Sequence, residues 1–156
     1  AQPVTRQAVF VGRVVAVLGW LAVLALVTLA SQLVSDAAFG LEIADARVAE
    51  TVALCALLGA LYAGLAFAVA GITGRPGPVL ALGLGLALVG YLVAALFPLS
   101  DVLEGWAWLS PWDWALGTDP LVSATEPVRF VALATGTAAL LAVGGIAFAR
   151  RDVRSA

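Results

Sequence analysis

Four long stretches of the chain consist almost entirely of apolar residues, and segments rich in charged residues, proline or glycine separate them. The stretches cover residues 14–34, 51–72, 79–97 and 130–148, and none contains a charged side chain. A helix needs about 20 such residues to cross a bilayer core about 30 Å thick. The pattern therefore predicts an all-α membrane protein with four transmembrane helices, in which residues 1–156 form a single transmembrane domain.

The first stretch has an alternative interpretation as a signal peptide. Arg6 and Arg13 precede it, and Thr28-Leu29-Ala30 resembles a cleavage site. Its apolar run is longer than the roughly 7–15 residues of a signal-peptide core, however. We therefore expect a membrane-spanning helix here.

The composition excludes several classes of protein. Hydrophobic residues make up 63% of the chain and charged residues 12%, with a mean hydropathy of +1.07, whereas a soluble domain has roughly 45–50% apolar and about 25% charged residues. There is no histidine, all eight basic residues are arginines, and Cys55 is the single cysteine. We therefore predict no catalytic, metal or cofactor site in this chain, no hydrolysis of ATP by it, and a buried structural role for Cys55. The net charge of -2 gives no basic field for nucleic acid.

The distribution of arginines predicts the orientation of the helices, because arginines near helix ends are retained on the cytoplasmic side. With the N-terminus inside, six arginines fall in cytoplasmic segments and only Arg47 and Arg129 fall outside. We therefore expect both termini in the cytoplasm and an acidic outer face. The inner link at 73–78 contains two prolines and two glycines, which predicts a tight turn and an antiparallel hairpin of the second and third spans. Small residues spaced by four predict close helix packing in lipid: Ala56, Ala60, Gly64 and Ala68 in the second span, and Ala81 and Gly85 in the third.

The segment between the third and fourth spans contains the most distinctive residues of the chain. It contains no uncharged run long enough to cross a membrane. The sequence from about 101 to 118 predicts two short helices joined at Leu109-Ser110. Asp101 and Glu104 are typical of one helix start, and Ser110 followed by Pro111 is typical of a second. Gly117 is a natural terminator.

Three interpretations of this segment remain open. It is either a passive aromatic belt at the membrane surface or a re-entrant cap over the outer end of a transport pathway, with its tryptophans at headgroup depth. An active site built on Asp113 and Asp119 is the third, although no histidine, lysine or metal-ligand cluster accompanies these acids. The tryptophans are Trp106, Trp108, Trp112 and Trp114.

Ion-coupled carriers need ionisable side chains within the membrane, and the four predicted spans contain none. Their polar residues are of types that the helix backbone or neighbouring helices usually satisfy, and we expect structural roles for them. If the protein moves a solute, the energy must come from another subunit or from further parts of the polypeptide. The polar residues in question are Thr28, Gln32, Tyr62, Tyr91, Thr135 and Thr137.

Three short motifs carry a resemblance to a known family. They are Pro3-Val4-Thr5-Arg6 before the first span; Leu109-Ser110-Pro111-Trp112 with Gly117, Asp119, Pro120 and Leu121; and Phe148-Ala149-Arg150-Arg151-Asp152 at the end. Their order and spacing resemble the membrane permease of bacterial ABC transporters of the type-two export family, where PVSR, LSPF…GxDPL and FxRRD are expected. Trp112 and Trp114 stand where other aromatics are commoner, and Val122-Ser123 replaces the usual Arg-Asn.

The resemblance implies a site, partners and a location. Pro3, Val4, Thr5 and Arg6 would follow a cytoplasmic coupling helix, and Arg150 and Arg151 would anchor the chain at the inner leaflet. Two further transmembrane helices would precede Ala1, so we expect the chain to be the C-terminal part of a longer permease. That permease would lie in the bacterial inner (plasma) membrane, pair with a second permease half, and bind cytoplasmic ATP-binding-cassette subunits that hold ATP and Mg. The outer re-entrant element would comprise Trp106, Trp108, Leu109, Ser110, Pro111, Trp112, Gly117, Asp119 and Pro120.

The function that follows is the translocation pathway of an ATP-driven exporter of an apolar or amphiphilic solute, such as a drug or lipid, working by alternating access. The resemblance therefore implies a transport subunit and not an enzyme. A non-transporting membrane scaffold or assembly subunit is the alternative, supported by the scarcity of polar residues in the spans. An intramembrane enzyme would need a nucleophile and a base, a pair that we do not find in the sequence.

Overall fold

The computed structural model describes residues 5–150, apart from the side chain of Arg6. Within this range the chain is helical and forms no strand. The elements are α1 (Arg6–Phe39), α2 (Asp45–Thr73), α3 (Pro76–Leu96), 3-10 turns at Phe97–Leu99 and Glu104–Leu109, α4 (Pro111–Leu116) and α5 (Pro127–Arg150).

Four of these helices are long and apolar enough to cross a membrane, which confirms the predicted number and order of long apolar helices. Each helix is longer than its uncharged stretch. The 34 residues of α1 extend for about 51 Å at 1.5 Å per residue, so one or both of its ends extend beyond a hydrocarbon core of about 30 Å unless the helix is strongly tilted. The architecture is consistent with a multi-pass membrane protein.

Local sequence explains where the long helices begin and end. The Thr5 hydroxyl caps α1 by accepting a hydrogen bond from the backbone N–H of Ala8 at 3.3 Å. Gly40 and Gly74 follow α1 and α2 with φ of 60° and 63°, a backbone conformation that glycine adopts at little cost. Pro76 then begins α3 almost at once, so α2 and α3 form the predicted hairpin.

Helix α2 is the centre of the bundle and contacts every other α-helix of the described structure. Leu54, Leu58 and Leu61 of α2 pack with Leu133 of α5 and Ala115 of α4 to form the core. In its most apolar stretch 33% of α2 is buried inside the protein, whereas the corresponding stretch of α1 has no buried residue. Most of the surface of α1 and α3 is therefore left uncovered by the rest of the described chain.

Small residues bring α2 and α5 into backbone contact, and two members of the predicted row, Gly64 and Ala68, lie in this interface. The backbones of Gly71 and Gly144 meet, and a methyl group on Gly71 would fall on the Gly144 carbonyl oxygen. Gly64 lies against Thr137 and Leu140 in the same interface. The predicted pair in α3 behaves differently, because the space beside Gly85 is open.

The two ends of the bundle differ in charge. The end of α1, the start of α2 and the segment before α5 meet at one end, which carries the acidic residues of the described chain: Asp36, Glu42, Asp45, Glu50, Asp101, Glu104, Asp113, Asp119 and Glu126. Arg13, Arg75 and Arg150 lie toward the opposite end. We refer to these as the acidic end and the basic end.

Candidate functional site

Residues 97–126, here called the capping segment, fold back onto the acidic end of the bundle. Helix α4 of this segment contacts α2, α3 and α5. The two predicted short helices are present as the 3-10 turn Glu104–Leu109 and α4, and they join at Ser110. The expectation that Asp101 starts the first of them is wrong, since that turn begins at Glu104 and no side chain caps it.

Ser110 joins the capping segment to α3. Its side chain is only 2% exposed, and its hydroxyl donates a 2.6 Å hydrogen bond to the carbonyl oxygen of Gly90. The Ser110 hydroxyl oxygen also accepts a hydrogen bond from the backbone N–H of Trp112 at 3.1 Å and so caps α4, as predicted. A methyl group on Gly90 would lie 2.9 Å from the Tyr62 hydroxyl and 3.1 Å from the Trp112 ring, so glycine permits this close approach.

Trp112 provides the second attachment to α3. Its indole N–H donates to the carbonyl oxygen of Ala87 at 3.1 Å, and its ring contacts Tyr91 edge-on at a centroid distance of 5.5 Å. Within the described part of the chain, the other tryptophans of the capping segment do not donate a hydrogen bond to α3. Trp114 donates to the Trp108 carbonyl oxygen at 2.6 Å within the segment, while Trp106 and Trp108 are more than half exposed.

Arg129 holds the other side of α4. Its guanidinium donates a 2.5 Å hydrogen bond to the carbonyl oxygen of Asp113, which ties α4 to the first turn of α5. Because this carbonyl belongs to the backbone, the contact depends on the position of α4 and not on the Asp113 carboxylate. The capping segment is therefore attached to both α3 and α5.

The residues after α4 form a tight turn. Gly117 ends α4 as predicted, and a methyl group there would collide with the Asp113 side chain. Asp119 adopts a φ of 47°, and its carbonyl oxygen accepts from the backbone N–H groups of Val122 and Ser123. Pro120 is buried beside it. Within residues 5–150 no group of three or more potential ligands could hold a metal ion.

A cleft of about 320 Å³ separates the C-terminal half of α1 from the N-terminal half of α2. Apolar side chains such as Leu21, Leu24 and Val52 form most of its walls. Leu121 of the capping segment reaches the cleft at the acidic end, beside Leu41 and Ile43. The capping segment thus borders the cleft at Leu121.

A row of polar side chains follows one wall of the cleft. Thr28, Gln32 and Asp36 are spaced by four residues and so lie on one face of α1. The Asp36 carboxylate accepts from the backbone N–H of Ile43 at 3.2 Å, which fixes the loop after α1. The Thr28 and Gln32 side chains make no hydrogen bond in the described structure, in contrast to Thr135 and Thr137, which donate to backbone carbonyls as expected. In the sequence, the only sign of this polar row is the four-residue spacing of its members.

Cys55 and Thr51 face the row from α2. The prediction that Cys55 is buried is wrong, because its side chain is exposed in the cleft. In an all-apolar helix, residue type does not distinguish the face that packs against protein from the face that remains open.

The other predicted site residues lie away from the cleft. Thr5 caps α1 and Arg150 is the exposed last residue of α5, toward the basic end. Pro3, Val4 and Arg151 lie outside the described residues, as does the side chain of Arg6.

Comparisons of the chain with protein-family models, with characterised proteins and with solved structures found no match. The resemblance to type-two ABC permeases therefore depends on the three motifs alone. The functional argument below starts from the cleft and the capping segment.

Proposed function

We propose that the chain forms part of the translocation pathway of a membrane permease that exports an apolar or amphiphilic solute, driven by a separate ATP-binding-cassette ATPase. On this proposal the permease lies in the bacterial plasma membrane with both termini in the cytoplasm. The capping segment then occupies the outer end of the pathway, as a re-entrant element. A second permease half completes the pathway against the exposed faces of the bundle.

The observation that carries the proposal is that the capping segment is attached to α3 and also reaches the α1–α2 cleft through one residue. Ser110 and Trp112, two residues of the family-like motif, attach the segment to α3, and Leu121 of the same motif reaches the cleft. A passive aromatic belt would need only exposed tryptophans at the membrane surface. A segment that is fixed to α3 and borders the cleft through Leu121 is better suited to opening and closing it.

The chemistry of the cleft favours an amphiphilic solute. Its walls are mainly aliphatic, while Thr28 and Gln32 offer hydroxyl and amide groups that no described residue engages. Unsatisfied polar groups within a membrane are costly, so a bound molecule with its own donors and acceptors would stabilise them. Apolar walls with a few placed polar groups are typical of small-molecule sites.

The energy for transport comes from outside this chain. Asp36 is the one acidic residue that lines the cleft, and its carboxylate holds the Ile43 backbone. On the proposed mechanism, ATP binding closes two partner domains that push on the cytoplasmic helix ends. The helices rock, and a cavity that faced inward opens outward beneath the capping segment.

The test is ATP hydrolysis by the intact permease co-purified with its ATPase subunit and reconstituted in liposomes. We expect hydrolysis only when both polypeptides are present, with stimulation by amphiphiles. Gln32→Leu should raise the amphiphile concentration that gives half-maximal stimulation about five- to tenfold. This factor corresponds to the loss of one hydrogen bond between Gln32 and the amphiphile, which contributes about 1 kcal/mol. Thr135→Val, whose hydroxyl bonds the backbone outside the cleft, is the matched control.

Two results would overturn the proposal. Hydrolysis of ATP by this polypeptide alone would refute the division of labour between pathway and motor. Failure to retain any ATPase subunit, with normal folding and membrane insertion, would favour the scaffold function instead.

A further inference from the structure

Two arginines at the basic end have no partner within the described structure. Arg13 lies two helical turns into α1, and Arg75 lies in the turn between α2 and α3. Both residues are exposed, and neither guanidinium makes an ion pair or hydrogen bond with residues 5–150. The one ion pair of the described chain joins Arg47 to Glu50 at the other end.

Arg13 and Arg75 line the same cleft, which has a volume of about 460 Å³ and lies between α1, the α2–α3 turn and the end of α5. Phe10, Phe67 and Phe148 form an aromatic wall, in which the Phe10 ring lies 5.6 Å from that of Phe67 and 5.7 Å from that of Phe148. Val79 and Leu80 extend the apolar surface along α3. The cleft therefore combines two cations with a wall suited to hydrocarbon.

No carboxylate of the described residues neutralises these cations. The acidic side chains of the described chain lie at the acidic end, and none lines this cleft. Guanidinium groups bind phosphate through paired N–H donors, and basic pockets between transmembrane helices bind anionic lipid headgroups. Charge and shape thus select the same occupant, a molecule with a phosphate at one end and hydrocarbon at the other.

We propose that this cleft is a binding site for an anionic phospholipid from the adjacent leaflet. The lipid phosphate lies between Arg13 and Arg75, and an acyl chain lies along the wall formed by Phe10, Phe67 and Phe148. The site needs no transport activity, so it stands or falls independently of the proposed function. A bound lipid here contacts α1, α2, α3 and α5 together and stabilises their arrangement at the basic end.

Lipid titration followed by native mass spectrometry of the full chain tests the site. We expect one phosphatidylglycerol to bind in preference to phosphatidylcholine. The double variant Arg13→Gln/Arg75→Gln should bind phosphatidylglycerol about 25-fold more weakly, about fivefold for each arginine, with phosphatidylcholine binding unchanged. Arg13→Lys/Arg75→Lys, which keeps both charges, should lose less than fivefold.

Arg150→Gln is the matched control, since Arg150 lies toward the same end but outside the cleft. Arg150→Gln removes one charge that attracts the leaflet without lining the cleft, so it should weaken the binding of phosphatidylglycerol by no more than about twofold. Should the double glutamine variant fail to fold, each single glutamine variant is expected to lose about fivefold.

Three results would overturn the proposal. Equal binding by the wild type and the double glutamine variant would show that the arginines do not hold the headgroup. An equal loss in Arg150→Gln would indicate diffuse attraction without a site. Displacement of phosphatidylglycerol by millimolar inorganic phosphate would indicate a site for the free anion and no role for the aromatic wall.

Discussion

The hydroxyl group of Ser110 donates a hydrogen bond to the carbonyl oxygen of Gly90, with 2.6 Å between the two oxygen atoms. One buried side chain thereby caps α4 and joins the capping segment to α3. We predict that Ser110→Ala destabilises the protein by about 2 kcal/mol, because it removes both a helix cap and a buried hydrogen bond of about 1 kcal/mol each. Unfolding in mixed micelles with increasing dodecyl sulfate would measure the change.

Ser123→Ala is the control for this prediction, since Ser123 is an exposed serine of the same segment. Its effect should stay within about 0.5 kcal/mol. Equal effects of the two substitutions would contradict a special role for Ser110.

The contact between Gly71 and Gly144 leads to a second prediction. Gly71→Ala should destabilise the bundle by about 1–3 kcal/mol, because the added methyl group forces α2 and α5 apart. Gly83→Ala in α3 meets open space and should be neutral or stabilising by up to about 1 kcal/mol, the helix-propensity gain of alanine. The same micelle unfolding assay compares them, and a neutral Gly71→Ala would refute the close crossing.

The bond from Arg129 to the Asp113 carbonyl oxygen yields a third prediction. Arg129→Gln should cost about 1.5–3 kcal/mol, the usual range for a hydrogen bond from a charged group. Arg47→Gln breaks only a partly exposed ion pair with Glu50 and should change stability by no more than about 1 kcal/mol. If Arg47→Gln proved the more damaging, the attachment of α4 to α5 would not depend on Arg129.

A fourth prediction concerns the orientation of the bundle. In a Cys55→Ser background, Ser123→Cys at the acidic end should react with a membrane-impermeant maleimide added to intact cells. Gly77→Cys, in the first turn of α3 near the basic end, should react only after the membrane is opened. The reverse pattern would mean that the termini lie outside the cell and would contradict the arginine distribution argument.

Sequence patterns predicted the helices better than their packing. The uncharged runs gave the four spans, and Ser110, Pro111 and Gly117 marked α4 through local capping rules that operate within one turn. The central position of α2 in the bundle could not be predicted, because all four spans are mainly apolar around their circumference and lipid provides no hydrophobic gradient between inside and outside. The α1–α2 cleft and the exposure of Cys55 depend on how the helices cross, which no local pattern specifies.

Solute movement itself tests the central claim most directly. Inside-out vesicles that contain the intact permease and its ATPase subunit would be supplied with ATP and a fluorescent amphiphile. We predict that the amphiphile accumulates in the vesicles only when both polypeptides and ATP are present. Gln32→Leu should reduce this accumulation without preventing assembly of the complex. Accumulation that proceeds without the ATPase subunit, or none at all from a correctly assembled complex that hydrolyses ATP, would contradict a pathway driven by a separate motor.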